Sequence, residues 1–358
     1  MIAPFAHAGS PARIVFGAGR MQDVAAELAR LAALRALVVC TASQRPVAEM
    51  IAVALGDQCA ALFPEAAMHT PVTVTERALA LARTHECDAV VAVGGGSAIG
   101  LAKALALRTD WPQVVLPTTY AGSEATPILG ETSDGRKVTQ RSPRVLPEVV
   151  IYDVELTLSL PPAVAAASGM NAIAHAVEAL YAKDANPLVS MMAEEGIAAL
   201  ARSLPRIVAD PHDRDARSDA QYGAWLCGTC LGAVGMALHH KLCHVLGGTF
   251  DLDHARTHAV MLPHAAAYNA AAAPAAMARV ARALGADDAI DGLTALARTL
   301  GVPRSLREIG MPADGLDRAA DLALRDAYWN PRPLAREPLR ALLQDAFTGA
   351  APNANQGG

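Results

Sequence analysis

The chain has 358 residues, more than a single hydrophobic core usually supports, so we expect two domains. Hydrophobic residues make up 53% of it, charged residues 18% and aromatic residues only 4%, a balance that favours close-packed helices over a β-sandwich. The net charge of −5, without a basic cluster, excludes the electrostatic footprint of a nucleic-acid-binding protein.

The first ten residues lack the basic and apolar stretches of a secretory signal. No run of about 18 uninterrupted apolar residues follows that could span a membrane. Six scattered cysteines in a chain of this size are typical of buried thiols rather than of a disulfide framework. These features predict a cytoplasmic protein.

The first part of the chain alternates predicted strands and helices. In chain order these are strand 13–16, helix 21–34, strand 36–40, helix 45–55, helix 73–85, strand 89–93, helix 97–107 and strand 113–116. Short apolar runs such as 36–40 and 89–93 are typical of parallel strands buried on both faces. Strands separated by helices imply right-handed crossovers, so we predict an α/β domain with a doubly wound, Rossmann-like sheet.

The second part of the chain reads as helices. They are predicted over 168–183, 187–209, 218–246, 272–284, 289–300 and 316–324. The boundary falls near 153–162, where Pro161-Pro162 ends the preceding element. We therefore predict a dinucleotide-binding domain over 1–157, an all-helical substrate and catalytic domain over 158–350, and a disordered tail over 351–358.

A cysteine pair, Cys227-Gly-Thr-Cys230, has the spacing of a redox or zinc motif. No second such pair occurs, and the surrounding run is apolar and helical. We therefore predict a packed helix of small residues here.

Two loops of the first domain have the composition of phosphate-binding loops. Gly94-Gly-Gly-Ser97 follows a buried strand and opens a helix, where glycines let a phosphate approach free N–H groups. It is neither the GxGxxG fingerprint nor a P-loop, and alone it could be an ordinary tight turn. The next strand runs into the hydroxyl-rich segment 117–126, at the strand end where open α/β sheets bind ligands. Together the two loops predict a nucleotide site.

Histidines in the second domain form the strongest cluster. Asn171 and His175 are four residues apart on one helix, which Ser168 could cap, and His240 and His244 share the same spacing. A histidine-rich loop follows with His254, His258 and His264. A lone helical histidine is usually a packed core or surface residue, but two such pairs beside this loop favour a functional site, because unpaired imidazoles are costly to bury. They could ligate a divalent metal or stabilise an anionic intermediate.

Five groups of residues carry a family resemblance. They are Gly94-Gly-Gly-Ser97 with Ala102-Lys103; Pro117-Thr-Thr119; Gly122-Ser-Glu-Ala-Thr126; Gly169-Met-Asn-Ala172 with His175; and Leu262-Pro-His264 with Tyr268-Asn269. In combination and in order they resemble the iron-containing (group III) alcohol dehydrogenase superfamily. The resemblance runs from Phe16-Gly-Ala-Gly19 to Asn330-Pro-Arg332, almost the whole chain.

Further segments narrow the resemblance within that superfamily. They are Thr119-Tyr-Ala-Gly-Ser-Glu-Ala-Thr126, Gly130-Glu-Thr132, Val145-Leu-Pro147, Tyr152-Asp153 and Asn330-Pro-Arg-Pro-Leu334. These are similar to the maleylacetate reductases, which reduce the C=C bond of maleylacetate to give 3-oxoadipate late in bacterial aromatic-ring degradation. The resemblance implies a Rossmann-like domain, an all-helical domain, NADH or NADPH in the cleft between them, and a homodimer.

The resemblance also assigns individual residues. It implies cofactor binding by Gly94, Gly95, Gly96, Ser97, Thr118, Thr119, Ser123, Lys137 and Thr41, with Lys137 near the nicotinamide ribose. The metal-binding positions of iron-type relatives fall on Asn171, His175, His240 and His254, and His244 matches a histidine near the reacting carbon. For the dicarboxylate substrate we name Tyr120, Lys241, Arg256 and Arg332; each of the last three could equally be a solvated surface cation.

Three departures from the iron-type pattern are informative. Asn171 stands where those enzymes have Asp, and a neutral amide is a weaker ligand for a hard divalent ion. Gly100 replaces an Asp of the glycine-loop helix. Thr41 stands where an acid often binds ribose hydroxyls, which leaves NADH versus NADPH open.

The missing carboxylate suggests a reaction. Hydride addition to an alkene conjugated with a ketone leaves an enolate, several pKa units less basic than an alkoxide at ~1.36 kcal/mol per unit, so histidines could replace a metal. We expect no metal, with His175, His240 and His254 polarising the ketone or holding a carboxylate, and His244 or His258 returning a proton. The alternatives are a metal-dependent alcohol or aldehyde dehydrogenase and a non-catalytic nucleotide-binding protein. A histidine-site metallohydrolase is a further alternative that leaves the glycine loop unexplained.

Overall fold

A computed structural model describes Phe5, His7, Gly9, residues 12–133 and residues 136–353, without the side chains of Arg136 and Lys137. The predicted disordered tail falls largely on 354–358, outside the described residues. The chain forms two compact units that divide between Leu160 and Pro161.

A six-stranded parallel sheet forms the centre of the first unit. Its strands are β1 (Arg13–Phe16), β2 (Ala36–Val39), β3 (Cys59–Phe63), β4 (Ala89–Gly94), β5 (Gln113–Pro117) and β8 (Val149–Tyr152), while β6 (Ile128–Ser133) and β7 (Arg136–Arg141) pair separately as an antiparallel hairpin. The strand order is β1-β8-β5-β4-β2-β3. Gly94 of β4 lies opposite Pro117 of β5, so the glycine loop and the hydroxyl-rich loop leave neighbouring strands at the same edge of the sheet.

Helices cover both faces of this sheet. They are α1 (Val24–Arg30), α2 (Arg45–Leu55), α3 (Val72–Thr84) and α4 (Gly96–Thr109). Val91 and Val93 of β4 share a core with α1 and α2, whereas Val90 and Ala92 pack in the core of α3 and α4. Successive side chains of a strand point to opposite faces. The predicted doubly wound α/β domain is thus confirmed.

Four strands of this unit were not predicted from the sequence. β3 is Cys-Ala-Ala-Leu-Phe, where alanines weaken the strand signal, and β8 is a run of only four residues that lies between β1 and β5. The hairpin strands β6 and β7 carry Glu, Ser, Arg, Lys and Gln, so no apolar run marks them. Polar, two-sided strands of this kind give little periodic signal.

The second unit is helical throughout its described part. Its helices are α5 (Pro162–Leu180), α6 (Pro187–Ala209), α7 (Arg214–Ala233), α8 (Leu238–Phe250), α9 (His254–Asn269), α10 (Pro274–Leu284), α11 (Ala289–Thr299), α12 (Leu316–Ala323) and α13 (Arg336–Thr348). The predicted all-helical domain is confirmed. α13 was not predicted.

Helix α5 lies at the centre of this unit. Every residue from Ala165 to Leu180 is buried. The helix is long and apolar enough to cross a membrane, but 89% of its apolar window is buried inside the protein, as expected for a core helix. Ser168 does not cap it, because the helix already begins at Pro162 and the Ser168 hydroxyl donates to the Ala165 carbonyl.

The predicted helix over 218–246 is wrong, since two helices occupy it. α7 ends at Ala233, and α8 begins at Leu238 after a short extended segment. The Gly235 N–H donates to Asp184 there, which replaces helical bonding. The predicted histidine-rich loop is also wrong: it is helix α9, whose first turn Asp253 caps by accepting the Arg256 N–H.

The cysteine pair behaves as predicted. Cys227 and Cys230 are buried within α7, and all six cysteines of the chain are free thiols.

Candidate active site

The glycine loop of the first unit leaves open backbone at the start of α4. Gly94 has φ +143°, a conformation that only glycine adopts readily, and Gly95 precedes the first helical residue without a side-chain cap. A Cβ at Gly96 would meet nothing within 4 Å. The N–H groups of this helix start are therefore accessible to an anion such as a phosphate.

The hydroxyl-rich loop packs directly on the glycine loop. A Cβ at Gly95 would lie 2.7 Å from Thr119 Cγ2, and the Thr118 N–H donates to the Gly94 carbonyl at 3.1 Å. The buried hydroxyls of Thr118 and Ser123 have no hydrogen-bond partner among the described residues. Since buried polar atoms are normally satisfied, these hydroxyls are available to a ligand. The neighbouring Tyr120 is completely buried.

Two other predicted cofactor-site positions, Thr41 and Lys137, and the departure at Gly100 have distinct surroundings. Thr41 follows β2, and its hydroxyl lies 3.1 Å from that of Ser43. A Cβ at Gly100 would collide with the Thr70 hydroxyl, which therefore fills the space that a larger residue would take. Lys137 lies on β7, but its side chain is outside the described residues.

Helices α5, α8 and α9 bring the predicted histidines together. The ring centroid of His175 lies 5.1 Å from that of His240, and His240 lies 5.1 Å from His258. The rings of His258 and His254 are 4.3 Å apart, and those of His254 and His244 are 6.3 Å apart. His175, His240 and His258 are buried, whereas His244 and His254 are exposed. Buried His264 lies six residues beyond His258 and has no described ring contact with this group.

A carboxylate that was not predicted from the sequence is hydrogen-bonded to this cluster. Glu178 of α5 is fully buried, and its Oε2 lies 2.7 Å from His240 Nδ1. The carboxylate also accepts the N–H groups of Ala237 and His239 at the start of α8. Burial alone would raise the pKa of Glu178, but these hydrogen bonds and the nearby imidazoles hold it at about 2. The site thus has an ionised carboxylate, although not at position 171.

The position of Glu178 could have been found from spacing. It lies three residues after His175 and seven after Asn171, on the same face of α5. The second overlooked residue, His239, had no such signal, because its role depends on the break between α7 and α8.

His239 connects the cluster to the interior of the second unit. Its Nε2 lies 3.2 Å from His258 Nδ1 and 3.3 Å from Cys243 Sγ. Burial lowers the pKa of His239 to about 3, and burial followed by neighbouring histidines lowers the pKa values of His175 and His258 well below their usual range. These three imidazoles are therefore neutral near pH 7.

Several buried polar atoms of the cluster are available to a ligand. Asn171 Oδ1, His175 Nδ1, His240 Nε2 and His258 Nε2 have no hydrogen-bond partner within the described part of the chain. Unsatisfied buried atoms on three packed helices indicate a binding site for a polar group.

The residues at the family's metal positions lack the anionic oxygen ligand that a hard divalent ion prefers. Asn171 offers a neutral amide, the other three positions offer imidazoles, and the Glu178 carboxylate is already occupied by α8 and His240. Among the described residues, the trio with ligand atoms within 4.8 Å of one another is His239, Cys243 and His258. It shares no residue with those positions.

The three cations named for the substrate have different surroundings. Arg332 stacks 4.2 Å above the Tyr268 ring and donates to the Tyr268 carbonyl. Lys241 Nζ lies 3.8 Å from Asp326. The exposed Arg256 guanidinium has neither an ion pair nor a hydrogen bond with any described residue. Of the three, Arg256 is the most available to a substrate carboxylate.

Two family models match the chain. The model of the iron-containing alcohol dehydrogenases matches residues 11–154, and the model of the C-terminal part of the Fe-containing alcohol dehydrogenase family matches residues 165–347.

Individual relatives share more than half of their residues with the chain. The maleylacetate reductase of a Rhizobium species is 55% identical over 98% of this chain and 99% of its own length. That of Sphingobium indicum is 56% identical over 96% of this chain and 97% of its own length. A crystal structure of maleylacetate reductase from Agrobacterium tumefaciens is 56% identical, has a TM-score of 0.95, and covers 98% of this chain and 100% of its own. The resemblance inferred from the motifs is thereby confirmed.

Proposed function

The chain belongs to the iron-containing alcohol dehydrogenase family, and we propose that it is a reductase that uses NADH or NADPH to reduce the C=C bond of maleylacetate to 3-oxoadipate. One observation carries the mechanism: the site pairs His240 with the buried carboxylate of Glu178, while position 171 offers only an amide. The names of relatives that are more than half identical over nearly their whole length support the substrate.

The charge that develops in this reaction suits such a site. Reducing an aldehyde leaves a strongly basic alkoxide, which benefits from a Lewis-acid metal. Adding hydride to a C=C bond conjugated with a ketone leaves an enolate, which is several pKa units less basic at ~1.36 kcal/mol per unit. Hydrogen-bond donors fixed in a buried site are sufficient to stabilise it.

His240 is the donor that the contacts favour. The Glu178 carboxylate accepts its Nδ1–H, and a protonated imidazole donates from Nε2 as well. Nε2 has no other described partner, so it can donate to the ketone oxygen of a bound substrate. His175 and Asn171 belong to the same cluster as His240, and they orient the substrate.

His244 is the better candidate for returning a proton to the enolate carbon. It is exposed and its ring lies 6.4 Å from that of His240, so it can exchange protons with water. His258, the other candidate, is fully buried with a strongly lowered pKa, which makes it a neutral and poor acid near pH 7. Arg256, exposed in the first turn of α9, binds a substrate carboxylate.

The loops of the first unit bind the cofactor, which supplies the hydride when bound. The start of α4 binds its diphosphate, and the hydroxyls of Thr118 and Ser123 donate to its oxygens. Thr41 offers no negative charge against a 2′-phosphate, so both NADH and NADPH are used. The family resemblance assigns Lys137 to the nicotinamide ribose.

The family resemblance also supports a homodimer. The six free thiols are consistent with a location in the cytoplasm. We propose chlorinated maleylacetates as further substrates of the same chemistry. Sedimentation analysis of the purified chain tests the dimer.

A substrate comparison tests the proposed reaction. NADH and NADPH oxidation is followed with maleylacetate and, separately, with simple aldehydes. We expect rapid turnover with maleylacetate and formation of 3-oxoadipate. Turnover with aldehydes alone would instead support a metal-dependent alcohol dehydrogenase, and cofactor binding without turnover would support a non-catalytic nucleotide-binding protein.

A further inference from the structure

A buried lysine lies between the two cofactor loops of the first unit. Lys103 is on α4, the helix that the glycine loop opens, and only 1% of it is exposed. Its Nζ lies 2.6 Å from the Ser123 carbonyl oxygen, 2.7 Å from that of Thr126 and 3.0 Å from that of Ile128. The Thr126 hydroxyl is a fourth neighbour at 3.0 Å.

Core packing alone does not account for a lysine at this position. Burial lowers the pKa of Lys103 to about 7, against the opposing effect of Glu124, so the ammonium is costly to hold here. An apolar side chain of similar length would fill the space without that cost. The four acceptors all belong to one segment, 123–128, so the lysine's contacts serve to fix that segment.

The loop that leads into this segment is held at two further points. Glu124 Oε1 accepts the Tyr152 hydroxyl of β8 at 2.9 Å. The start of the loop packs on the glycine loop, where a Cβ at Gly95 would lie 2.7 Å from Thr119. Lys103 hydrogen-bonds the C-terminal end of the loop directly to α4.

We propose that Lys103 is a positioning residue for the cofactor, one that holds the hydroxyls of the 118–126 loop at a fixed place relative to the N-terminus of α4. Among these hydroxyls are those of Thr118 and Ser123, which have no partner among the described residues. The inference rests on the proposed function, since it takes NADH or NADPH as the ligand of these two loops. Lys103 itself does not contact the reacting atoms.

The test measures cofactor binding separately from turnover. The full chain carrying Lys103→Met is compared with the unsubstituted chain by titrating NADH fluorescence, and its steady-state constants are then measured with maleylacetate. We expect the Kd for NADH to rise about tenfold or more, the scale of a lost charge-assisted hydrogen bond. The KM for maleylacetate at saturating NADH should stay nearly unchanged.

Two further variants separate positioning from stability. Leu105→Ala empties a fully buried site on the same helix, so it should lower the melting temperature without changing the Kd for NADH. Thr126→Val removes one of the four acceptors and should raise the Kd by a smaller factor than Lys103→Met. It also provides the measurement if the methionine variant does not fold.

Distinct outcomes overturn distinct statements. An unchanged Kd in Lys103→Met and Thr126→Val, or an equal change in Leu105→Ala, would overturn the positioning role alone. If the unsubstituted chain binds neither NADH nor NADPH, the proposed function fails, and this inference fails with it.

Discussion

The most consequential single residue of the site is Glu178. The sequence predicts a histidine cluster without a carboxylate, because position 171 carries an amide. The structure places one three residues after His175, where it accepts a hydrogen bond from His240 and two from the start of α8. A carboxylate in this position orients an imidazole, whereas one at position 171 would be a direct metal ligand.

Substitution of Glu178 should separate catalysis from cofactor binding. Glu178→Gln keeps the size of the side chain but removes the negative charge that accepts the His240 Nδ1–H. We expect kcat to fall by about 100-fold, the scale of a lost donor to a developing oxyanion, with little change in the Kd for NADH. Stopped-flow turnover with maleylacetate measures the fall in kcat. The control is Glu194→Gln, the substitution of an ion-paired glutamate on α6, which should retain activity.

Position 171 should determine whether the cluster holds a metal. Asn171→Asp adds an anionic oxygen ligand beside His175 and His240, so the variant should retain more zinc or iron by elemental analysis than the unsubstituted chain. The added charge opposes an enolate, so maleylacetate reduction should slow. Asn186→Asp, a helix-cap position where either residue is suitable, is the matched control. Equal metal content in all three proteins would contradict the prediction.

Among the elements, the start of α8 brings the residues of the histidine cluster together. The apolar pattern of 218–246 runs on without a proline, so periodicity predicted one helix. The break comes from contacts made at long range: Asp184 binds Gly235, Glu178 binds Ala237 and His239, and Asn330 accepts the Leu238 N–H. No local window of sequence contains those partners, which explains why His239 was missed.

Removal of the Asn330 amide should loosen this helix start. Its side chain accepts from Leu238 and Asn269 and donates to Asn269 and the Arg332 carbonyl, so Asn330→Ala leaves several partners unsatisfied. We expect a loss of about 2–3 kcal/mol in the free energy of unfolding by urea, together with a lower kcat. Gln344→Ala on α13 should change neither quantity. A stable, fully active Asn330→Ala would show that the other contacts are sufficient to hold α8.

At the scale of the whole molecule, sequence patterns were most informative where burial is complete. The runs of β2 and β4 predicted strands that the structure contains, because every one of their residues is buried. The helices α2 and α6 were predicted from the spacing of the residues on their buried faces. The hairpin β6–β7 and the helix α9 were missed because polar residues and histidines obscure their periodicity. The positions of the histidines predicted most of the cluster, but the connections within that cluster required the tertiary fold.

The stability of the whole chain should fall in mild acid partly through His264. Burial lowers the pKa of this residue to about 4, so below its unfolded value near 6.5 the unfolded chain binds a proton that the folded chain does not. Stability contributed by the neutral imidazole is therefore full above pH 6.5 and decreases as the pH falls towards 4. Between pH 6.5 and pH 5 the loss should be roughly 2 kcal/mol. Urea unfolding at pH 7 and pH 5 should show a smaller decrease for His264→Gln than for the unsubstituted chain; equal decreases would contradict this.

The central claim is that paired histidines, rather than a metal ion, stabilise the enolate formed from maleylacetate. The most direct measurement is the turnover of protein purified without chelator, with its metal content determined on the same sample before and after exhaustive chelation. We predict substoichiometric metal and an unchanged kcat with maleylacetate. Stoichiometric iron or zinc, with turnover that chelation abolishes and the metal restores, would contradict the claim.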